Sequence, residues 1–482
     1  MLFNSLEYAV FLPIVFALYW SLPHRFRWIL LFISSYYFYM SWNVKYVVLI
    51  LFTTVISYGC SRLLEKTENL KLKKFYMTIT FCASLGVLFF FKYFNFFSNS
   101  VCELLNSMAI PVHPVTINVM LPVGISFYTF QTLSYVVDVY RGTVKPEHHF
   151  GKYATFISFF PQLVAGPIER TGNLLPQITE EHNFSYEKAT YGLKLMAWGF
   201  FKKIALADTL AIYVDKIYGN IYNYQGAVLV LVSMMFAVQI YCDFSGYSDI
   251  AIGTAKLFGI DLMKNFKAPY FSTGIKEFWS KWHISLSTWF KDYVYIPLGG
   301  NRRGELKRSW NLLITFLVSG LWHGANWTYV IWGGIHGCAQ ILENSFKRMF
   351  SGEKRNPSVF RKGLSMVWVF LFCTVTWIFF RAGTLEEALY VFANMFQGIS
   401  KPMEYFKLGI LGLSISKLEF VNIVIMLLLL FVYDYFDTKT DVIKRISSFQ
   451  LPARWTCYVL LVLLIILFVP LESGGEFIYF QF

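Results

Sequence analysis

Residues 319–337 read SGLWHGANWTYVIWGGIHG. The stretch is apolar enough to sit in hydrocarbon, yet it carries two imidazoles, His323 and His336, and one amide, Asn326. An unpaired polar group in an apolar medium costs about 2–7 kcal/mol, depending on the reference state. Ionisable side chains at membrane depth therefore mark functional sites by default. Small Gly324 and Ala325 follow His323 and leave room for a ligand or a second helix to approach. Burial disfavours an imidazolium, and a neutral ring is what a general base needs near pH 7. A packing histidine bonded to a nearby carbonyl fits the same residue, so the ring alone leaves both roles open.

Outward from this stretch, the composition sets the class. Of 482 residues, 56% are hydrophobic and 15% are charged, against about 25% charged in soluble domains. Phe alone occurs 50 times. These numbers describe an all-α polytopic membrane protein. The first 22 residues have no basic region before the apolar run and no A-x-A site, so they are expected to be a first span rather than a cleaved signal. The net charge is +13, but the basic residues fall in loops between apolar runs. That pattern suits an anionic membrane surface, not nucleic acid. None of the seven cysteines forms a CxxC pair, and buried free thiols are expected.

A span needs about 17–25 mostly apolar residues to cross a ~30 Å core. Such runs fall near 5–22, 27–42, 44–62, 75–97, 118–140, 190–206, 226–243, 310–326, 327–345, 363–381, 417–436 and 454–471. Residues 62–74 hold Arg62, Lys66, Lys71, Lys73 and Lys74, the loop 98–118 has no Lys or Arg, and Arg141, Lys145 and Lys152 follow. The alternation sets 62–74 and 141–152 in the cytoplasm and the amino terminus outside. The basic loop 346–362 and the tail, with only Glu472 and Glu476, agree.

Two regions break this pattern. In 153–180, Pro161, Gly166, Pro167, Gly172 and Pro176 forbid one continuous helix, so a re-entrant or surface-hugging element is expected near Arg170. Residues 256–308 carry ten basic residues, Arg303 among them, against four acidic ones. There Phe278, Trp279, Trp282, Leu286, Trp289, Phe290 and Tyr293 recur at helical steps, opposite Lys276, Glu277, Lys281, Ser285, Thr288 and Asp292. The spacing predicts an amphipathic helix lying in the membrane interface. His283 sits on it beside Trp282, where it can join a site or simply solvate at the headgroups. The basic belt around it suits a phosphate-bearing donor or anionic lipid equally.

His336 follows His323 by 13 residues, about 20 Å along a continuous helix, and no HExxH occurs, so no metal is expected. In 239–253, QIYCDFSGYSDIAIG, the carboxylates Asp243 and Asp249 need partners. They can pair with Lys or Arg, hold a histidine tautomer, bind a cation or cap a helix, and a structural role is favoured. Gln131, Asp138 and Arg141 are expected to be contacts of a helix end. There is no G-x-S-x-G elbow and no P-loop.

FFPQLVAGPIER (159–170), QIYCDFSGYSDIAIG (239–253), FWSKWHISLSTWFKDYVYIPLGGNR (278–302), SGLWHGANWTYVIWGGIHG (319–337) and FIYFQF (477–482) occur together. In them the chain resembles the membrane-bound O-acyltransferases, most closely the bacterial alginate O-acetyltransferase-like branch, over essentially its whole length. The resemblance implies that the family's membrane histidine is His323 and its second signature histidine His283. It implies 11–13 transmembrane helices around a central funnel or tunnel, in one membrane-embedded domain. That domain would comprise amino-terminal helices (about 1–150), a catalytic core (151–345) and carboxy-terminal helices (346–482).

It further implies an acyl group, acetyl in this branch, taken from a cytoplasmic thioester such as acetyl-CoA. The group would be passed across a bacterial cytoplasmic membrane to a polysaccharide, through a periplasmic or extracellular esterase-like partner. A related branch uses D-alanine on a carrier protein. No bound cofactor, metal or nucleic acid is implied. A thioester is already activated, so no ATP site is needed. His323 would deprotonate the acceptor hydroxyl, worth about 10²–10⁴-fold. Asn326, His283 or backbone amides would face the oxyanion, and Trp322, Trp282 and Asp243 are candidates for binding substrate. A transporter of polysaccharide or lipid-linked sugar is the alternative from another class. Its mark would be mirrored halves, and 256–308 has no counterpart in the other half.

Overall fold

The computed structural model describes residues 1–164, 166–302, 304–349, 358–469 and 477–478. Arg303, much of the loop 346–362, Glu472, Glu476 and 479–482 lie outside the described residues. Among the described residues every regular element is a helix. Helices cross each of the expected apolar runs, although the run from 118 turns helical only at Ile125. Among the described residues five are long and apolar enough to span a bilayer alone: Val44–Lys66, Leu70–Ser107, Ala227–Leu257, Val359–Arg381 and Lys417–Asp437. Others are shorter or more polar, and some of these are covered by protein. Ile125–Arg141 buries Ser126, Thr129, Gln131, Thr132 and Ser134. Its hydroxyls bond back along the helix, Thr132 to the Thr129 carbonyl (2.8 Å) and Ser134 to that of Gln131 (3.0 Å).

Contacts sort the chain into two compact units, Met1–Met196 with Ile250–Met263, and Ala197–Asp249 with Lys264–Phe482. In the first unit, 153–180 is broken as its prolines require, into Phe150–Ser158, Phe160–Leu163 and Thr171–Thr179. Its first part is buried rather than at a surface, with Phe156, Phe159 and Phe160 fully covered and the Phe160 amide donating to Ser35 Oγ at 3.1 Å, whereas Thr171–Thr179 leaves Gly172, Asn173 and Pro176 exposed. The cysteines are all free, but only Cys60, Cys242 and Cys373 are buried, whereas Cys82 and Cys338 are exposed.

The second unit holds both histidine stretches. Residues 305–349 do not form one rod. Glu305–His323 ends at an extended Gly324, and Trp327–Met349 returns alongside it. Glycines set the spacing of this hairpin. A Cβ on Gly320 would lie 2.2 Å from the Tyr329 carbonyl oxygen, and one on Gly333 2.3 Å from that of Phe316. No side chain fits there, so the two backbones touch.

The segment expected as one interfacial amphipathic helix differs too. It forms two short helices, Ile275–Lys281 and Ile284–Phe290, broken at Trp282–His283 and followed by a wider turn, Lys291–Tyr295. Its aromatic face does not meet lipid, since Phe278 and Trp282 are fully buried in the core with Trp332 and Trp377. Amphipathicity records that one face is covered, not whether lipid or protein covers it.

Candidate active site

His323 is the last residue of Glu305–His323. Its ring is 2% exposed and is enclosed by Trp322, Trp332 and Phe380, with centroids 4.9, 5.1 and 5.4 Å away. Four residues back along the same helix lies Ser319. His283 occupies the break between the two short helices in the left-handed region, φ 43° and ψ 55°. For a side chain larger than glycine that conformation costs of order 1–3 kcal/mol and persists only where the surroundings enforce it. The His283 ring is fully buried, 4.5 Å edge-on from Phe244 and 6.0 Å from Trp322. The two imidazoles lie 6.3 Å apart, centre to centre, at 63°.

The other candidates surround this pair in different ways. Trp322 lies against both rings. Trp282 is stacked on Phe278 (5.4 Å, 18°) and lies beside Trp377 (5.0 Å). Asn326 gives its side chain to the protein. Its Oδ1 accepts the Thr328 amide at 3.0 Å, capping the returning helix, and its Nδ2 donates to the Gly383 carbonyl at 2.8 Å. Asp243 binds Lys203 at 2.6 Å through one oxygen and the Ile478 amide at 2.8 Å through the other. It thereby seats Phe477 against Tyr247 (4.6 Å) and Phe244 (5.9 Å).

His336 is engaged on both nitrogens. Trp279 Nε1 donates to Nδ1 at 3.2 Å, and Nε2 meets Thr376 Oγ1 at 3.0 Å. The Thr376 hydroxyl proton already points to the Cys373 carbonyl (2.9 Å), so the ring donates from Nε2 and accepts at Nδ1. It is a neutral link between helices.

Sequence reasoning passed over Lys202 and Lys203. Lys203 bridges Asp208 (2.8 Å) and Asp243, all about 5% exposed, while Lys202 binds Asp249 (2.7 Å) and Ser245 (2.9 Å). Tyr241 donates to Asp434 nearby at 2.7 Å. The signal was present: two adjacent lysines inside the apolar run 190–206, where charge is expensive unless paired. They occupy a widened helical turn, Phe201–Asp208, a feature common at functional sites.

Against the helices Ile284–Phe290 and Glu305–His323 opens a cavity of about 540 Å³. Among the described residues Lys276, Lys291 and Arg308 line it and no acid does, while Trp279, Phe316 and Ser319 form part of its wall. Trp279 lies 5.6 Å from Trp332, which in turn touches His323. Two indoles in series, Trp279 and Trp332, therefore stand between cavity and base.

Residues 145–382 match the model of the membrane-bound O-acyltransferase family. The probable alginate O-acetylase of Pseudomonas putida is 34% identical over the full length of both chains. The peptidoglycan O-acetyltransferase of Helicobacter pylori is 32% identical over all of this chain and 98% of its own. The teichoic acid D-alanyltransferase of Bacillus subtilis is 28% identical over 52% of this chain and 65% of its own. The chain belongs to the membrane-bound O-acyltransferase family; it is a multi-pass membrane O-acyltransferase.

Proposed function

We propose that this membrane-bound O-acyltransferase takes an acetyl group from a cytoplasmic thioester and delivers it towards an extracytoplasmic polysaccharide, with His323 as general base. The observation that carries this reading is the pair of buried imidazoles 6.3 Å apart within an aromatic shell. A shell of this kind keeps water from the acyl group. His323 takes the proton of the acceptor hydroxyl as its oxygen attacks the thioester carbonyl. The carbonyl becomes an oxyanion, facing donors from His283 or backbone amides. The new C–O bond persists, the C–S bond breaks, and the departing thiolate takes the proton back from His323. The position of His323 at a helix carboxy terminus eases its transient positive charge by about 0.3–1 kcal/mol.

The cavity supports a phosphate-bearing thioester as donor, acetyl-CoA in the simplest case. Its three cations suit phosphate, its apolar wall suits a pantetheine arm, and Ser319 leads one helical turn to His323. Acetyl as the acyl group and a glycan as the acceptor are supported by the names of the full-length relatives. The basic loops 62–74 and 141–152 support a bacterial cytoplasmic membrane with the amino terminus outside. A secreted or anchored esterase-like partner would carry specificity for the polysaccharide. The test compares surface glycans of cells with and without this protein for O-linked acetyl. Loss of the esters on deletion supports the reading, and an unchanged ester content overturns it.

A further inference from the structure

The strained turn at His283 is held by one side chain outside the histidine stretches. Asn265 is fully buried. Its backbone carbonyl accepts the Ile284 amide at 2.9 Å, and two residues on the Lys267 amide donates to the Lys281 carbonyl at 3.0 Å. Trp282 and His283 are thus bracketed by backbone bonds on both sides. The Asn265 side chain completes the clamp. Its Oδ1 accepts the Ser285 hydroxyl at 2.6 Å and the Ser285 amide at 3.4 Å, and its Nδ2 donates to Ser248 Oγ at 3.1 Å. Ser285 and Ser248 are themselves buried. Ser248 stands on the long helix Ala227–Leu257, one turn beyond Phe244, whose ring lies 4.5 Å from that of His283.

One amide therefore ties the start of the Ile284–Phe290 helix to the helix that supports the His283 ring. A left-handed conformation at a residue larger than glycine survives only where its surroundings over-determine it. Here the over-determination converges on Asn265. We propose that Asn265 is a positioning residue for the acyl transfer: it fixes the His283 ring opposite His323 and touches no substrate. The proposal rests on the role given to His283 above.

The experiment uses inside-out vesicles bearing the full chain, with acetyl-CoA as the probe donor. Rates are expressed per folded protein, counted by size-exclusion chromatography in detergent. Misplacing a reacting group by about 1 Å can cost 10²-fold. Asn265→Ala is therefore expected to lower kcat roughly 10- to 100-fold with KM for acetyl-CoA within about 2-fold. Asn265→Asp should restore most of the rate, because its oxygens still accept from Ser285 and Ser248 can turn its hydroxyl to donate. Ser285→Ala removes the shorter, hydroxyl bond of the same contact from the other side. The double variant with Asn265→Ala should then be no slower than the slower single variant.

An unchanged kcat per folded molecule in Asn265→Ala overturns the proposal, as do additive losses in the double variant. If Asn265→Ala does not fold, Ser285→Ala alone decides, with an unchanged kcat counting against the clamp. A His283→Ala protein that keeps its full rate overturns the role of His283 itself, a signature distinct from any Asn265 result.

Discussion

The rings of His283 and His323 lie 6.3 Å apart at 63°, one on a strained turn and the other at a helix end. With each ring nitrogen about 1.1 Å from its centroid, the nitrogens stay about 4 Å or more apart, beyond hydrogen-bond reach. The two rings do not hydrogen-bond each other directly across this gap. Two elements that meet only in the folded chain set that gap, so small shifts in either should act on rate before they act on assembly.

The hairpin that ends in His323 gives the first prediction. At Gly320 and Gly333 a Cβ would collide with backbone oxygen. Gly320→Ala or Gly333→Ala should push the helices apart at a cost of about 1–3 kcal/mol and lower acyl transfer. At Gly363 nothing lies within 4 Å of the added atom. There the same change should be neutral or gain up to ~1 kcal/mol. Thermal melting in detergent checks both, and equal responses at Gly320 and Gly363 would refute the packing argument.

Lys203 is the second. It answers two buried carboxylates, Asp208 and Asp243. Lys203→Met leaves both without their counter-charge, and breaking such a buried arrangement costs about 3–5 kcal/mol. Yield and melting temperature should fall sharply, whereas Lys188→Met, at a half-exposed pair with Asp261, should change either little. Similar melting temperatures for the two variants would contradict this.

The cavity cations give the third. Lys276→Gln and Lys291→Gln should each raise KM for acetyl-CoA several-fold with kcat nearly unchanged, because they hold the donor and not the transition state. The effect should shrink as ionic strength rises. A fall in kcat at constant KM would move these residues out of donor binding.

Asn326 gives the fourth. Both ends of its amide are committed to Thr328 and Gly383. Asn326→Ala should cost about 1 kcal/mol of stability, as for a lost helix cap, while kcat per folded protein stays within about 3-fold. A hundredfold loss in kcat would return Asn326 to the reacting centre.

Much of the architecture was legible in the sequence because a span has to satisfy its own backbone and face lipid, which leaves long apolar runs. His323 was legible because an imidazole is conspicuous among Leu, Trp and Gly. What sequence could not supply is what covers each face. The Trp279–Trp282–Phe278 stripe has the period of an interfacial helix, but protein buries it, and the break at His283 is enforced by Asn265, 18 residues earlier in the chain. Asn326 reads as an oxyanion donor until its tertiary partner, Gly383, is known. Lys203 reads as an anomaly until Asp208 and Asp243 meet it.

The most direct test of the central claim is the rate of acetyl-CoA consumption by inside-out vesicles carrying His323→Ala, with insertion and folded yield measured in parallel. The account predicts a loss of about 10²–10⁴-fold in rate from a protein that inserts and folds normally. An undiminished rate from that protein would contradict it.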